Sequence, residues 1–325
     1  MSAINSQPHA FSCGLKNMVK VQTPFDQQYL TTEDGHEVFF EQYGNPIGLP
    51  ILGIHGGPGV GNLPGQHTLF DLEKFRLILV DQRGCGRSKP LGKVDHNNTS
   101  LLIYDFERIR SQLSIDKWCL FGGSWGTTLA LTYAQTHPES ISHMVLRGVF
   151  LARQQDFDWL YQYGTCEIFP EHWDSLLNPI GHKSQSVIED YHRLIHESSN
   201  TVAEDAMKKW ATWEASVARL AFDSSLVDTL TQPDICRAFS LISTHYFKHK
   251  CFLEPNQILN RIHHIKDIPT WIVHGRYDML CPVSQAYLLH QHLNNAKLNI
   301  AEHDGHAQCE NGIHQLLLDC LVEIR

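Results

Sequence analysis

No stretch of this 325-residue chain reaches the roughly 18 consecutive apolar residues that a membrane-spanning helix needs. The longest candidate, Met144 to Ala152, is short and interrupted by Arg147. No membrane is expected as a partner. The first twenty residues lack the basic start and continuous apolar block of a secretory leader. Among nine cysteines there is no Cys-x-x-Cys pair, and an odd number suits neither a closed disulfide framework nor a zinc site. Reduced thiols in a cytoplasmic protein are the expectation. Basic residues are few, 26 against 35 acidic, for a formal charge of −9. A nucleic-acid surface needs a basic footprint, so that partner is not expected either. What remains is a chain with 42% hydrophobic and 19% charged residues, ordinary for a globular protein able to bury a large core. Its length exceeds the usual domain, which predicts two domains or one enlarged by an insertion.

The first third alternates strand-like and helix-like segments. Tyr29–Thr32 and Glu37–Tyr43 bracket Glu33-Asp34-Gly35-His36, which reads as a hairpin turn. Ile51–Ile54, Leu77–Val80, Trp118–Phe121 and Met144–Val149 are short apolar runs suited to strands buried on both faces. Thr99 to Leu113 and Thr127–Gln135 have helical character. From Asp156 to about Ile258 the pattern is helical and aromatic, with Trp210, Trp213, Val217 and Leu220 at helical spacing across Val202 to Phe222. Alternation resumes with strands Trp271–Val273 and Lys297–Ala301 and helices Val283–Leu293 and Ile313–Ile324. The expectation is a mostly parallel α/β sheet, residues 1–154 and 251–325, interrupted by a helical cap over 155–250.

The sharpest local signal is Gly122-Gly123-Ser124-Trp125-Gly126, between a strand and a helix, the context of a Gly-x-Ser-x-Gly nucleophile elbow. A serine nucleophile needs a base and an orienting acid, and this fold class supplies them in the order Ser, Asp, His. Asp278 follows one strand and His306 the next, both at C-terminal strand ends where open α/β sheets place their sites. His303 is a rival base, but Gly305 suits His306 better for a sharp exposed loop. A developing oxyanion needs two N–H donors. Trp125, after the nucleophile, would give one. His55-Gly56-Gly57-Pro58-Gly59 would give the other through Gly56 or Gly57, with Gly57 favoured. A phosphate-cradling loop is the weaker reading, since neither of the usual glycine spacings for one occurs nearby. The 21 histidines include His245/His249, His263/His264 and His290/His292, none with metal-ligand spacing, so no metal or cofactor is expected.

Together, His-Gly-Gly-Pro-Gly at 55–59, Asp81-Gln82-Arg83-Gly84-Cys85-Gly86-Arg87-Ser88, the elbow through Thr127 and Gly275-Arg276-Tyr277-Asp278 resemble the proline iminopeptidases, serine peptidases of the α/β-hydrolase fold. The resemblance runs from about Tyr29 to the C-terminus. It implies release of N-terminal proline from short peptides through an acyl-enzyme. It also assigns Trp210-Ala211-Thr212-Trp213-Glu214 to the amine site, with Glu214 as the carboxylate, and Phe150 and Cys281 to the proline pocket. A second family glutamate is replaced here by Ser243, in Ile242-Ser243-Thr244-His245-Tyr246-Phe247, which puts strict proline preference in question. The Asp-Gln-Arg-Gly stretch is expected to shape a turn. Cys281, just past Asp278, is expected at the pocket mouth and open to bulky thiol reagents. Fold and triad do not choose the substrate, so an esterase, an amidase or a broader aminopeptidase is the alternative. A catalytically silent binding module is the remaining one. Oligomeric state cannot be read from the residues.

Overall fold

The computed structural model describes residues 22–324; the segment read for a leader, and Cys13, lie outside the described residues. Eight strands form one sheet: β1 (Asp26–Thr31), β2 (Glu37–Gly44), β3 (Leu49–Ile54), β4 (Phe75–Val80), β5 (Trp118–Gly123), β6 (Ile141–Arg147), β7 (Thr270–Gly275) and β8 (Ala296–Ala301). Their order is β1-β2-β4-β3-β5-β6-β7-β8, a crossover that puts β3 and β5 side by side at the centre. The two N-terminal strands run antiparallel, pairing Tyr29 with Phe39 and Leu30 with Val38, and every pairing from β4 to β8 is parallel. Burial follows position. Strand β5, Trp-Cys-Leu-Phe-Gly-Gly, is buried at every residue, whereas β1 at the edge alternates half-buried and exposed side chains up to Leu30.

Helices α1 (Thr99–Gln112) and α2 (Trp125–Thr136) follow β4 and β5. The side chain of Asn98 caps α1 by accepting from Leu101 N at 3.0 Å, and α2 stops just ahead of Pro138. Between β6 and β7 the regular structure is wholly helical: α3 (Gln154–Tyr161), α4 (Thr165–Ile168), α5 (Pro170–Leu177), α6 (Val187–Glu197), α7 (Asn200–Val217), α8 (Ser224–Leu230), α9 (Pro233–Lys248) and α10 (Gln257–Asn260), with short 3₁₀ turns. Helices α11 (Val283–Gln291) and α12 (Asn311–Glu323) complete the chain. One apolar cluster runs without a break from Leu52, Leu120 and Leu129 through Phe150 into Phe157, Tyr161, Trp210 and Phe247 of the inserted helices. The other sheet face buries Leu77, Phe121, Val145 and Val273 against Ile313 and Leu317 of α12. No helix of the described residues is long and apolar enough to cross a membrane, and Cys85, Cys119, Cys166, Cys236, Cys251, Cys281 and Cys320 are free thiols.

Helix α7 stops five residues short of the Val202–Phe222 pattern. Ala218 O accepts a hydrogen bond from His306 N at 3.2 Å, so the chain leaves the helix to meet a loop of the sheet, and Leu220 is exposed rather than core. The Asp-Gln-Arg-Gly stretch also does more than turn. Arg83 is buried and binds Asp105 through two hydrogen bonds, 2.6 and 2.8 Å, while its Nη1 reaches Asp34 at 2.7 Å. Removing one partner of a buried ion pair leaves the other charge uncompensated. Arg83→Met is therefore expected to lower stability by about 3–5 kcal/mol in urea denaturation; a loss under 1 kcal/mol would mean that Asp105 finds another partner.

Candidate active site

Ser124 sits on the link between β5 and α2 with φ 57° and ψ −125°, a conformation costly for a residue with a Cβ. It is held from several sides. Its N–H donates to Arg147 O at 2.9 Å, and its carbonyl accepts from the backbone N and Oγ1 of Thr127 at 2.8 and 2.7 Å. The flanking glycines are demanded by space. A Cβ on Gly122 would fall 2.5 Å from Gly126 O, and one on Gly126 only 2.2 Å from Ile54 O. Strand, helix and the neighbouring strand β3 thus touch backbone to backbone, which lifts the serine above the sheet edge.

His306 and Asp278 meet across 28 residues, with His306 Nδ1 2.7 Å from Asp278 Oδ2. The other carboxylate oxygen accepts the N–H groups of Leu280 and Cys281 at 3.1 and 2.8 Å. Burial would push the Asp278 carboxyl up, but His306, His274 and the Cys281 N–H outweigh it and hold the group below the usual carboxylate range. His306 Nε2 lies 2.9 Å from Arg147 Nη1, which also donates to His306 O at 3.0 Å. A guanidinium can only donate. Arg147 and Asp278 together therefore fix the neutral tautomer with hydrogen on Nδ1 and the lone pair on Nε2, the form a general base requires. Arg147 stood out in the sequence only as a break in an apolar run. Its position at the end of β6, beside the nucleophile strand, was the usable signal. His306 itself is buried, not on an exposed loop, because the end of α7 covers it. His303, the rival, is exposed.

The glycine loop after β3 passes directly over the serine: a Cβ on Gly56 would lie 3.2 Å from Ser124 Cβ. Gln82 fastens this loop to the elbow. Its N–H donates to His55 Nε2 at 3.0 Å, its amide nitrogen to His55 O at 2.9 Å, and its amide oxygen accepts from Trp125 Nε1 at 2.9 Å. Gln82 was read only as part of a turn, yet it ties together the two segments expected to stabilise an oxyanion. The N–H of Trp125, first in α2, has no acceptor within its helix.

Glu214, on α7, is buried and accepts a hydrogen bond from the Tyr161 hydroxyl. Burial pushes its carboxyl up to about 7, against the smaller lowering effect of Tyr161. Tyr161 stacks on Trp210 with ring centroids 4.6 Å apart, and the Trp210 indole N–H donates to Ser243 Oγ at 2.8 Å, so Ser243 is already engaged. Phe150 lies edge-on to Phe157 at 5.4 Å, and Phe157 to Phe247 at 5.5 Å, an apolar wall beside Glu214's tyrosine. Cys281 belongs to this core. It is buried rather than open at a mouth, and burial together with Asp278 pushes its thiol well up, so it is a poor target for bulky thiol reagents. Asp278, Cys281 and His306 offer the one trio of potential metal-ligand atoms within 4.8 Å among the described residues. There the acid and the imidazole already pair with each other and the thiol is held neutral, which does not suit a cation.

Fold and site together define the α/β-hydrolase class, and a family model described as the alpha/beta hydrolase fold matches residues 50–312. Solved structures agree on the fold: an esterase from Exiguobacterium antarcticum, with TM-score 0.59 and 19% identity, covers 91% of this chain and 99% of its own. A hydrolase from Bacillus anthracis reaches TM-score 0.61 at 21% identity, covering 91% and 99%. Proteins named proline iminopeptidase are nearer in sequence. That of Xylella fastidiosa (strain 9a5c) is 39% identical over 89% of this chain and 93% of its own length. That of Neisseria meningitidis serogroup A is 38% identical over 94% and 98%, and that of Arabidopsis thaliana 37% over 89% and 77%. The chain belongs to the proline iminopeptidase family of α/β hydrolases.

Gln82→Met removes both side-chain links between the glycine loop and Trp125. Turnover is expected to fall roughly tenfold with the fold intact, short of the roughly 10²–10³ of deleting an oxyanion donor outright. Unchanged kcat in a variant of normal Tm would show that the two segments hold their places without Gln82.

Proposed function

We infer that this chain is a serine aminopeptidase releasing N-terminal proline from short peptides. The observation that carries the reading is its 37–39% identity, over about nine-tenths of its length, to proteins named proline iminopeptidase. Ser124 Oγ attacks the carbonyl carbon of the terminal residue and passes its proton to His306 Nε2. Arg147 gives way at that nitrogen as the hydroxyl takes its place. Asp278 keeps the ring oriented and stabilises the imidazolium. The N–H groups of Gly57 and Trp125 receive the oxyanion. Collapse of the tetrahedral intermediate returns the proton to the leaving amine and leaves an ester on Ser124, which water cleaves by the same route in reverse.

Glu214 selects the substrate. A carboxylate buried with only a phenol for company is a poor anion until a cation arrives, and the ammonium of a free N-terminus supplies one. Phe150, Phe157 and Phe247 offer the apolar surface that a proline ring requires, with Cys281 alongside. Residues 155–250 act as a cap over the sheet, which restricts the site to short peptides. The free thiols of Cys85, Cys119, Cys166, Cys236, Cys251, Cys281 and Cys320 fit a cytoplasmic enzyme.

Glu214→Gln preserves shape and removes the charge. Catalytic efficiency toward a proline naphthylamide is expected to fall roughly 10²- to 10³-fold, as for a buried charge deprived of its partner, while a simple ester is cleaved as before. Equal activity of variant and parent on the naphthylamide would overturn the amine-recognition reading in favour of an esterase.

The pH profile gives a separate check. With its carboxyl pushed up to about 7, Glu214 is neutral below that pH and charged above it in the free enzyme. The efficiency toward free-amine substrates is therefore expected to rise with pH through about 7, because kcat/KM reports groups of the free enzyme. In Glu214→Gln the contribution of this carboxyl should be missing, leaving only the fall at acid pH that any histidine base imposes.

A further inference from the structure

Glu310 stands at the start of α12 and its carboxylate accepts three backbone N–H groups. Oε1 takes Gly305 N and Leu220 N, each at 3.0 Å, and Oε2 takes Ala307 N at 2.9 Å. Gly305 and Ala307 are the two residues flanking His306. Leu220 lies just past α7, the helix that carries Glu214. A fourth contact runs the same way, His306 N to Ala218 O at 3.2 Å. Gly305 makes the approach possible: a Cβ there would sit 2.8 Å from Leu220 N and 3.3 Å from Glu310 Oε1.

We propose that Glu310 is a positioning residue that clamps the His306 loop against the end of α7, so that base and amine site hold one register. The proposal rests on the reading of His306 as base and Glu214 as partner of the substrate amine. Glu310 touches neither the imidazole nor the place of the substrate. It acts through the backbone on both sides of His306. Three N–H groups converging on two oxygens suit an ionised carboxylate, whose hydrogen bonds are roughly twice as strong as neutral ones. The start of α12 favours a negative charge as well. A neutral amide in the same place keeps one acceptor and presents two hydrogens to a site of donors, so at least one arm is lost. From Glu214 to Ala218 is about one helical turn. A displacement of α7 at the amine site therefore reaches the backbone of the base within a few bonds.

The test uses Glu310→Gln in the full chain, with active sites counted by a fluorophosphonate and a proline naphthylamide as substrate. Expected is a kcat per titrated site lower by roughly 10- to 100-fold with KM changed less than about threefold, the signature of a misplaced base rather than lost binding. Hydrogen exchange should quicken together at the amides of Gly305, Ala307 and Leu220. In Glu310→Ala, added formate should restore part of kcat by filling the vacated cradle, an effect that a merely stabilising residue would not give. Unchanged kcat per titrated site in Glu310→Gln overturns the proposal even if Tm falls, and so does exchange that stays slow at the three amides. His306→Ala separates this outcome from the reading beneath it: if that variant keeps its turnover, the assignment of the base fails instead.

Discussion

The backbone of Ser124 carries a left-handed φ that a serine adopts only when its surroundings insist. Here they are the two strands on either side of β5. Gly126 presses against the Ile54 carbonyl of β3, and the Ser124 N–H is taken by the Arg147 carbonyl of β6. The parallel register of β3, β5 and β6 therefore does two things at once. It sustains the strained turn, and it brings the loops that follow each strand to the same edge of the sheet. The glycine loop leaves β3 there, Arg147 ends β6 there, and Asp278 and His306 follow β7 and β8. A slip of one residue in any of these pairings would move a participant to the wrong face.

Two buried carboxylates near this edge behave oppositely, and the difference lies in their partners. Asp278 is surrounded by two N–H groups and two imidazoles, which favour its anion, so it is held charged. Glu214 has only the Tyr161 hydroxyl, and burial carries its carboxyl up to about 7. On the proposed reading, the first acid would be the counter-charge for an imidazolium that forms and decays during turnover, and the second would wait for a charge carried by the substrate. His274, also buried, is spent on structure: its Nδ1 accepts from Val149 N at 3.1 Å and its Nε2 donates to Cys281 O at 2.7 Å, tying β7 to the loops around the site.

The inserted helices join the sheet through one continuous apolar core and through the polar contacts at the end of α7. In this arrangement the helix that carries Glu214 is mechanically continuous with the loop that bears His306. The stack of Tyr161 on Trp210, with Ser243 holding the indole N–H, stiffens the helix that presents Glu214. Ser243, which accepts that indole N–H, brings no charge to the wall.

Local chemistry was legible in the residues. Apolar runs bounded by turn residues marked the parallel strands, and Gly-x-Ser-x-Gly between a strand and a helix marked the elbow. The order Ser124, Asp278, His306 at the ends of β5, β7 and β8 marked the candidate triad, because periodicity and turn preference are written within a few residues of each other. Several features answer to contacts far longer than that. Arg147 meets His306 across 159 residues, Glu310 meets Leu220 across 90, and α7 ends at Val217 because a distant loop claims the next carbonyl. Cys281 looked like the rim of a pocket and proved to be core, since burial is decided by whatever the rest of the chain stacks on top. The sequence by itself determined which segments are strands, which are helices and which residues could do chemistry. Only the tertiary structure decided which of them meet, because a side chain's partner and its dielectric surroundings depend on packing between segments that no local pattern connects.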